Sequence, residues 1–302
     1  MAAVADLRGE LRALQAADLR LATIFYRLAR ANVQLCRTTV PATGLVLHAR
    51  FAYLGRYEAA ADALFGFAAP IAVEGAIEGS SAARLNISDT SSLIRIAAHD
   101  ARRLTTVSQA LDHIEQGGGR IGITLLDAGE ERTIAVATEP VCPGRVEVQV
   151  SSNDNAGTDG RTIQVTTELM NRVPQDDQLA AVVAHEFAHI ILDHPKRLTE
   201  AGISRGLLRE FGKNRRIWRQ TEAEADRLSA YLLANAGFDP LAGEQFWQGA
   251  GRRVGGGLFA SGTHMNWRER AALFREEASK ISRNRDRPIV PELVGTRDTP
   301  LR

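Results

Sequence analysis

Cysteine is scarce: Cys36 and Cys142 are the only two in 302 residues. That number excludes a disulfide-stapled scaffold, and neither residue stands in the CxxC spacing of a redox motif or zinc knuckle. One bridge between them and two unrelated thiols both fit the sequence. An excess of charge of one sign is also lacking, because 37 basic and 36 acidic side chains leave a formal net charge of +1. Nothing in that balance points to nucleic acid or an anionic membrane as a partner. The basic cluster Lys213 to Arg216 reads as a solvated helix face.

Long apolar runs are missing as well. The longest, Phe65 to Val73 and Leu179 to Leu192, are short or interrupted by His and Glu, well below the roughly 20 clean residues of a membrane-spanning helix. Met1 to Arg20 carries Asp6, Glu10 and Asp18 and lacks the apolar stretch of a secretory signal. The expectation is a chain without a transmembrane segment, cytoplasmic unless an export signal is missing from it. The apolar content of 44% suffices for the core of one large domain or two modest ones.

Leu11, Leu14, Leu21, Ile24, Phe25 and Leu28 recur at helical intervals, predicting one or two amphipathic helices that end near Cys36. A turn at Pro41 to Gly44 follows, and a further helix is expected over Tyr57 to Leu64. Short strand-like runs then take over at Ile71 to Val73, Leu93 to Ala97, Arg120 to Leu125 and Arg132 to Ala137, with one helical stretch at Ser108 to Glu115. Within this β-rich module, Val73 to Arg84 resembles the strand, turn and short helix of PDZ domains, and Leu104 to Glu115 and Ile121 to Val136 fit the remainder. Asn86 stands near a glycine position of those domains, and Phe65-Gly66-Phe67 is read as the counterpart of their carboxylate-binding loop. The resemblance implies a peptide ligand for the module.

Farther on, Arg145 to Val150 and Arg161 to Thr166 alternate apolar and polar residues around the turn-rich Ser151 to Gly160, which predicts a hairpin or paired edge. Helical patterns dominate beyond Asp176. The Pro- and Arg-rich tail from Arg283 is expected to be loosely packed.

Pro174, Asp176 and Asp177 mark a helix start before Leu179 to Leu192. On that helix lies His185-Glu186-Phe187-Ala188-His189. Residues four apart share a helical face, so both imidazoles can reach one ion while Glu186 addresses a water beside it. A chance match or two buried structural histidines would explain the same five residues, so a third ligand is required. Thr221-Glu222-Ala223-Glu224-Ala225-Asp226 supplies it on a helix expected from about Ile217 to Ala236, stopped by Gly237. Glu222 and Asp226 share a face and Glu224 points elsewhere. Glu222 is therefore the expected third ligand, and Asp226 the carboxylate that orients a ligand imidazole. The alternative HExxHxxGxxH scheme finds Leu192 and Pro195 at its last two fixed positions. His194, out of register, is expected to support the site rather than to bind the ion.

These motifs, with Ala236-Gly237-Phe238-Asp239-Pro240, resemble the HExxH/ExxxD gluzincin family of zinc metallopeptidases that includes the CAAX prenyl protease, HtpX and the periplasmic protease BepA. The resemblance covers about Arg145 to Ser279. It implies one Zn2+ ion, polypeptide substrates, and an α+β fold: a mainly helical zincin-type metallopeptidase domain with a small sheet, plus an inserted β-rich PDZ-like domain. The implied boundaries are 1–66 for N-terminal helices of the peptidase domain, 67–140 for the PDZ-like module, 141–282 for the catalytic domain and 283–302 for the tail. The family's HPxxxxR segment corresponds to His264-Met265-Asn266-Trp267-Arg268-Glu269-Arg270, with Met265 in place of Pro. By resemblance His264 lies over the active site, and Arg270 supports it.

The expected reaction is peptide-bond hydrolysis with Glu186 as general base, the substrate pairing with Arg161 to Thr166 around Ile163 and Val165. The lack of the membrane helices of the prenyl protease and HtpX branches makes the soluble envelope branch the better analogue. It implies a bacterial-type cell envelope or periplasm and a role in protein quality control. A peptide-binding, chaperone-like adaptor with a structural or latent zinc site is the competing expectation.

Overall fold

The computed structural model describes residues 2–203, 212–252, 265–284 and 286–301. The chain forms two compact units, residues 1–26 with 39–141, and residues 27–38 with 142–302. Most of residues 1–66, expected in the peptidase domain, belong to the first unit, and the break after Val141 lies one residue beyond the expected 140/141 boundary.

In the first unit, helix α1 (Ala2–Ala31) contributes its N-terminal part. Strands β1 (Val40–Ala42) and β2 (Leu45–Ala49), helix α2 (Glu58–Phe65) and strands β3 (Ile71–Ala76), β4 (Ser92–Ile96) and β5 (His99–Asp100) follow. Helix α3 (Val107–Glu115), strands β6 (Arg120–Asp127) and β7 (Glu130–Ala137) and the short β8 (Glu139–Val141) complete it. The main sheet runs β2-β3-β4-β6-β7, with β5 on β4 and a separate β1–β8 pair. The β6–β7 hairpin turns on Ala128 and Gly129, both at positive φ, the backbone of a tight turn whose twist matches its strands. Thr106 and Gln109 form a reciprocal capping box that starts α3. Leu47, Val73, Leu93, Ile123 and Leu125 form the core with Ala110 and Ile114 of α3.

Helix α1 lies close on β3, where a Cβ on Gly75 would come within 2.6 Å of the Leu19 side chain. Gln15 Nε2 donates to the Glu74 carbonyl at 2.7 Å, and Arg12 pairs with Asp89. Asn86 adopts a left-handed φ of +46°, a conformation in which asparagine is the best substitute for glycine. Phe65-Gly66-Phe67 is not a carboxylate-binding loop. Gly66, at φ +61°, caps α2, and the two phenylalanines pack against His48 and Tyr53.

The second unit opens with β9 (Arg145–Gln149), β10 (Ala156–Thr158) and β11 (Thr162–Thr166). Helices α4 (Thr167–Arg172), α5 (Asp176–Ile191), α6 (His194–Glu200), α7 (Gly212–Asn235), α8 (Ala242–Gln248) and α9 (Trp267–Arg283) follow. The expected two-strand pairing is corrected. β10 lies within the turn-rich stretch, and the order is β10-β11-β9, with β11 parallel to β9 and antiparallel to β10.

Helix α5 is the centre of this unit. Ala180, Ala181, Ala184 and Ala188 are buried on it, and it packs against α7, α8 and β10. Helix α8 meets α9 so closely that a Cβ on Gly243 would overlap the Phe274 ring. A disulfide joins Cys36 to Cys142 with a Cα separation of 5.7 Å, so the bridge is the arrangement adopted.

The tail departs from the loose packing expected of its composition. Ile289, Val294 and Leu301 are buried, and Leu301 joins Leu198, Ile203, Ile217 and Trp218 in one cluster. Helices α2 and α3 interrupt the strands of the main sheet, whose pairings are antiparallel, and the second unit is mainly helical, which together is an α+β fold. Among the described residues no helix is long and apolar enough to cross a membrane.

Candidate metal centre

Asp176 and Asp177 in the first turn of α5 favour its N-terminus, and its helical pitch puts His185 and His189 on one face. Helix α7 crosses that face and brings Glu222 to both imidazoles. His185 Nε2 lies 3.4 Å from Glu222 Oε2, and His189 Nε2 lies 3.6 Å from Glu222 Oε1. The two Nε2 atoms are 3.2 Å apart. Among the described residues this is the group whose donor atoms could share a metal ion, and all three side chains are buried.

One turn along α7, Asp226 Oδ1 accepts from His185 Nδ1 at 3.0 Å. Arg270 of α9 holds that carboxylate with Nε and Nη2, each at 2.6 Å, and lies 3.6 Å from Glu222. Its guanidinium stacks 4.0 Å over the Trp247 ring. Asn266 and Glu269 form the capping box that starts α9 one turn before Arg270, so the sequence fixes where that arginine enters.

His194, expected as a supporting residue, meets the other histidine. Asp193 ends α5 in a left-handed conformation at φ +56°, which turns the chain and returns His194 to the ring one turn back. His194 Nδ1 lies 2.8 Å from His189 Nδ1, and its Nε2 lies 3.1 Å from Glu224 Oε2. Glu224 also accepts from Arg197 Nη1 at 2.9 Å and from Gln220 at 2.7 Å. Sequence reasoning missed Glu224, Arg197 and Trp247. The Glu-x-Glu-x-Asp spacing puts Glu224 on the opposite side of α7, and only the turn at Asp193 brings a histidine to that side.

The electrostatics suit a cation. Burial disfavours charge on His185, yet the Asp226 and Glu222 carboxylates raise it to about 9. Burial holds His189 well below its ordinary value and lowers His194. Burial pushes Glu186 up to about 7, with Glu222 and Asp226 adding to the rise against His185 and Arg270. Burial opposes the charge on Glu224, but His194, Gln220 and Arg197 hold it down at about 2. Asp226 is lowered in the same way, Arg270 outweighing burial.

The residues fit a divalent ion. Ligands held about 2.0–2.1 Å from one tetrahedral ion lie roughly 3.3 Å from each other, and the three separations are 3.2, 3.4 and 3.6 Å. Four buried or half-buried carboxyls, on Glu186, Glu222, Glu224 and Asp226, face the guanidiniums of Arg197 and Arg270. Among the described residues, both carboxylate oxygens of Glu186, a residue 1% exposed, are buried without a hydrogen-bond partner, which a purely structural group would not leave so.

The family model of peptidase family M48 matches residues 132–209. This match indicates a metalloprotease. Zinc-dependent proteolysis is what that family implies. The match spans His185 to His189 and stops before Glu222, whose place beside the histidines comes from the geometry of α7. No curated protein matches the chain.

Two further expectations need separate treatment. Ile163 and Val165 cannot present an edge to an extended substrate, because β11 is paired on both sides and both side chains are fully buried. His264 lies outside the described residues.

Proposed function

We propose that this protein is a zinc endopeptidase in which His185, His189 and Glu222 hold one zinc ion and Glu186 is the general base. When bound, zinc would supply Lewis acidity to a scissile carbonyl and to the attacking water. Glu186 takes a proton from that water and returns one to the leaving amine. The buried Glu186 carboxylate, without a hydrogen-bond partner among the described residues and one residue from a histidine that could hold the metal, is the observation that carries this reading. Asp226 and Arg270 keep His185 turned with Nδ1 away from the ion.

The strand for an extended substrate is β10 rather than β11. Thr166 N–H donates to the Asn155 carbonyl and Asp159 N–H to that of Thr162, so residues 155, 157 and 159 face β11. Alternation then directs the main-chain groups of Ala156 and Thr158 to the other edge, and β10 packs on α5. Main-chain pairing there demands little sequence and suits unfolded polypeptides, consistent with protein quality control. In the first unit β2 ends the main sheet, and its edge, unpaired among the described residues, supports the PDZ-like reading with a peptide ligand. The Cys36–Cys142 bridge supports an oxidising compartment such as the bacterial envelope.

Cleavage of an unfolded casein substrate by zinc-loaded protein tests the reading, beside Glu186→Gln and a chelator-treated sample. Both treatments should abolish cleavage, and Glu186→Gln should keep its zinc. Full cleavage by Glu186→Gln would remove Glu186 from the chemistry; stoichiometric zinc without cleavage would favour the adaptor.

A further inference from the structure

The two histidines of the centre are supported in different ways. His185 is backed directly by a carboxylate, Asp226, at 3.0 Å. His189 has a second imidazole between itself and its carboxylate, with separations of 2.8 and 3.1 Å along Glu224, His194 and His189. We infer that His194 and Glu224 are positioning residues that fix the tautomer and ring orientation of His189, so that its Nε2 presents a lone pair to the metal. The inference rests on the zinc reading above and extends it to residues that touch neither ion nor substrate.

The protons can be followed inward from the carboxylate. An ionised carboxylate only accepts hydrogen bonds, so His194 Nε2 carries the N–H that Glu224 receives. With one proton per ring, His194 Nδ1 is an acceptor, and the atom 2.8 Å from it, His189 Nδ1, carries the next N–H. His189 Nε2 is thereby left with its lone pair, 3.2 Å from His185 Nε2 and 3.6 Å from Glu222. Asp226 fixes the N–H on Nδ1 of His185 in one step, so that its Nε2 is the atom turned to the metal position.

The outer end of the relay is built to stay charged and fixed. Arg197, 6% exposed, reaches Glu224 at 2.9 Å, and Gln220 reaches the other oxygen at 2.7 Å. His194 is 1% exposed, and the left-handed Asp193 aims it. Each outer carboxylate is thus gripped by a buried arginine, Asp226 by Arg270 and Glu224 by Arg197. Partners of this kind typically contribute 10–100-fold to metal affinity.

Two readouts test the inference. Zinc affinity is measured by chelator competition on wild type, His194→Ala, His194→Asn, Glu224→Ala and Glu224→Gln. The alanine variants should bind about 10–100-fold more weakly. His194→Asn, whose amide oxygen still accepts from His189 Nδ1, and Glu224→Gln, whose oxygen still accepts from His194, should recover most of that loss. In metal-free protein, two-bond 1H–15N spectra should show His189 protonated at Nδ1 in wild type and shifted towards the Nε2–H form in His194→Ala. An Nε2–H tautomer of His189 in the wild-type protein would overturn the inference, as would alanine variants with wild-type affinity. Should wild type bind no zinc, the zinc reading fails, while the metal-free tautomer still decides the relay.

Discussion

Arg270 makes the sharpest energetic prediction. Its guanidinium is 1% exposed, forms two bonds of 2.6 Å to Asp226 and lies 3.6 Å from Glu222. Arg270→Met keeps much of the stem that packs on Trp247 and leaves Asp226, itself fully buried, without its counter-ion. Breaking a buried pair from one side costs about 3–5 kcal/mol, because the remaining charge stays desolvated. For a unit of this size that corresponds to a fall in Tm of roughly 6–20 °C. Asp226→Asn should also destabilise, by stranding the guanidinium. The double variant Arg270→Met/Asp226→Asn should recover at least about 2 kcal/mol of the summed losses, since neither charge is then unpaired. Thermal and urea unfolding of metal-free protein isolates this from metal linkage. An Arg270→Met protein melting within about 2 °C of wild type, or a double variant whose losses simply add, would refute the pairing as a structural requirement.

Glu74 sits at 3% exposure on β3, and burial, with Asp18 beside it, raises its carboxyl to about 9 from an ordinary 4.5. The folded chain therefore keeps a proton that the unfolded chain releases. Its contribution is intact below about 4.5 and is lost as pH rises towards 9, with a slope of up to roughly 1.4 kcal/mol per pH unit. Glu74→Gln should flatten the fall in urea-unfolding midpoint between these limits; an unchanged slope would assign the pH dependence to other groups. The Cys36–Cys142 bridge closes a loop of 106 residues, for which chain entropy gives about 4–5 kcal/mol. Cys36→Ser/Cys142→Ser should melt well below the oxidised protein, and thiol titration of native wild type should find no free cysteine. Equal melting would mean that the bridge restrains nothing in the unfolded chain.

What could be read from the sequence was local. The strands and the α3 helix of the first unit follow from alternation and from turn residues such as Ala128-Gly129. The shared faces of His185 with His189 and of Glu222 with Asp226 follow from helical spacing, with four residues returning a side chain to the same face; that the two faces meet is a matter of how α7 packs on α5. The misses are non-local. Arg145 to Gln149 and Thr162 to Thr166 do alternate, but whether a strand is central depends on what pairs with it, and β10 has only the three residues Ala156–Thr158. The Pro and Arg content of the tail predicts loose packing, while its packing depends on three separated anchors, Ile289, Val294 and Leu301. Those apolar residues were the available signal.

Glu224 shows why the spacing on α7 has to be read on both faces. Glu222 and Asp226 point to the histidines of α5, while Glu224, about 200° around the helix from Glu222, points to α6. A single helix therefore serves three partners: Glu222 reaches both Nε2 atoms, Asp226 the Nδ1 of His185, and Glu224 the Nε2 of His194. Insertion of one residue between Glu222 and Asp226 would rotate everything beyond it by about 100° and separate these contacts together. The same rotation would move Asp226 from Arg270, so the register that shapes the metal centre also fixes where α9 packs.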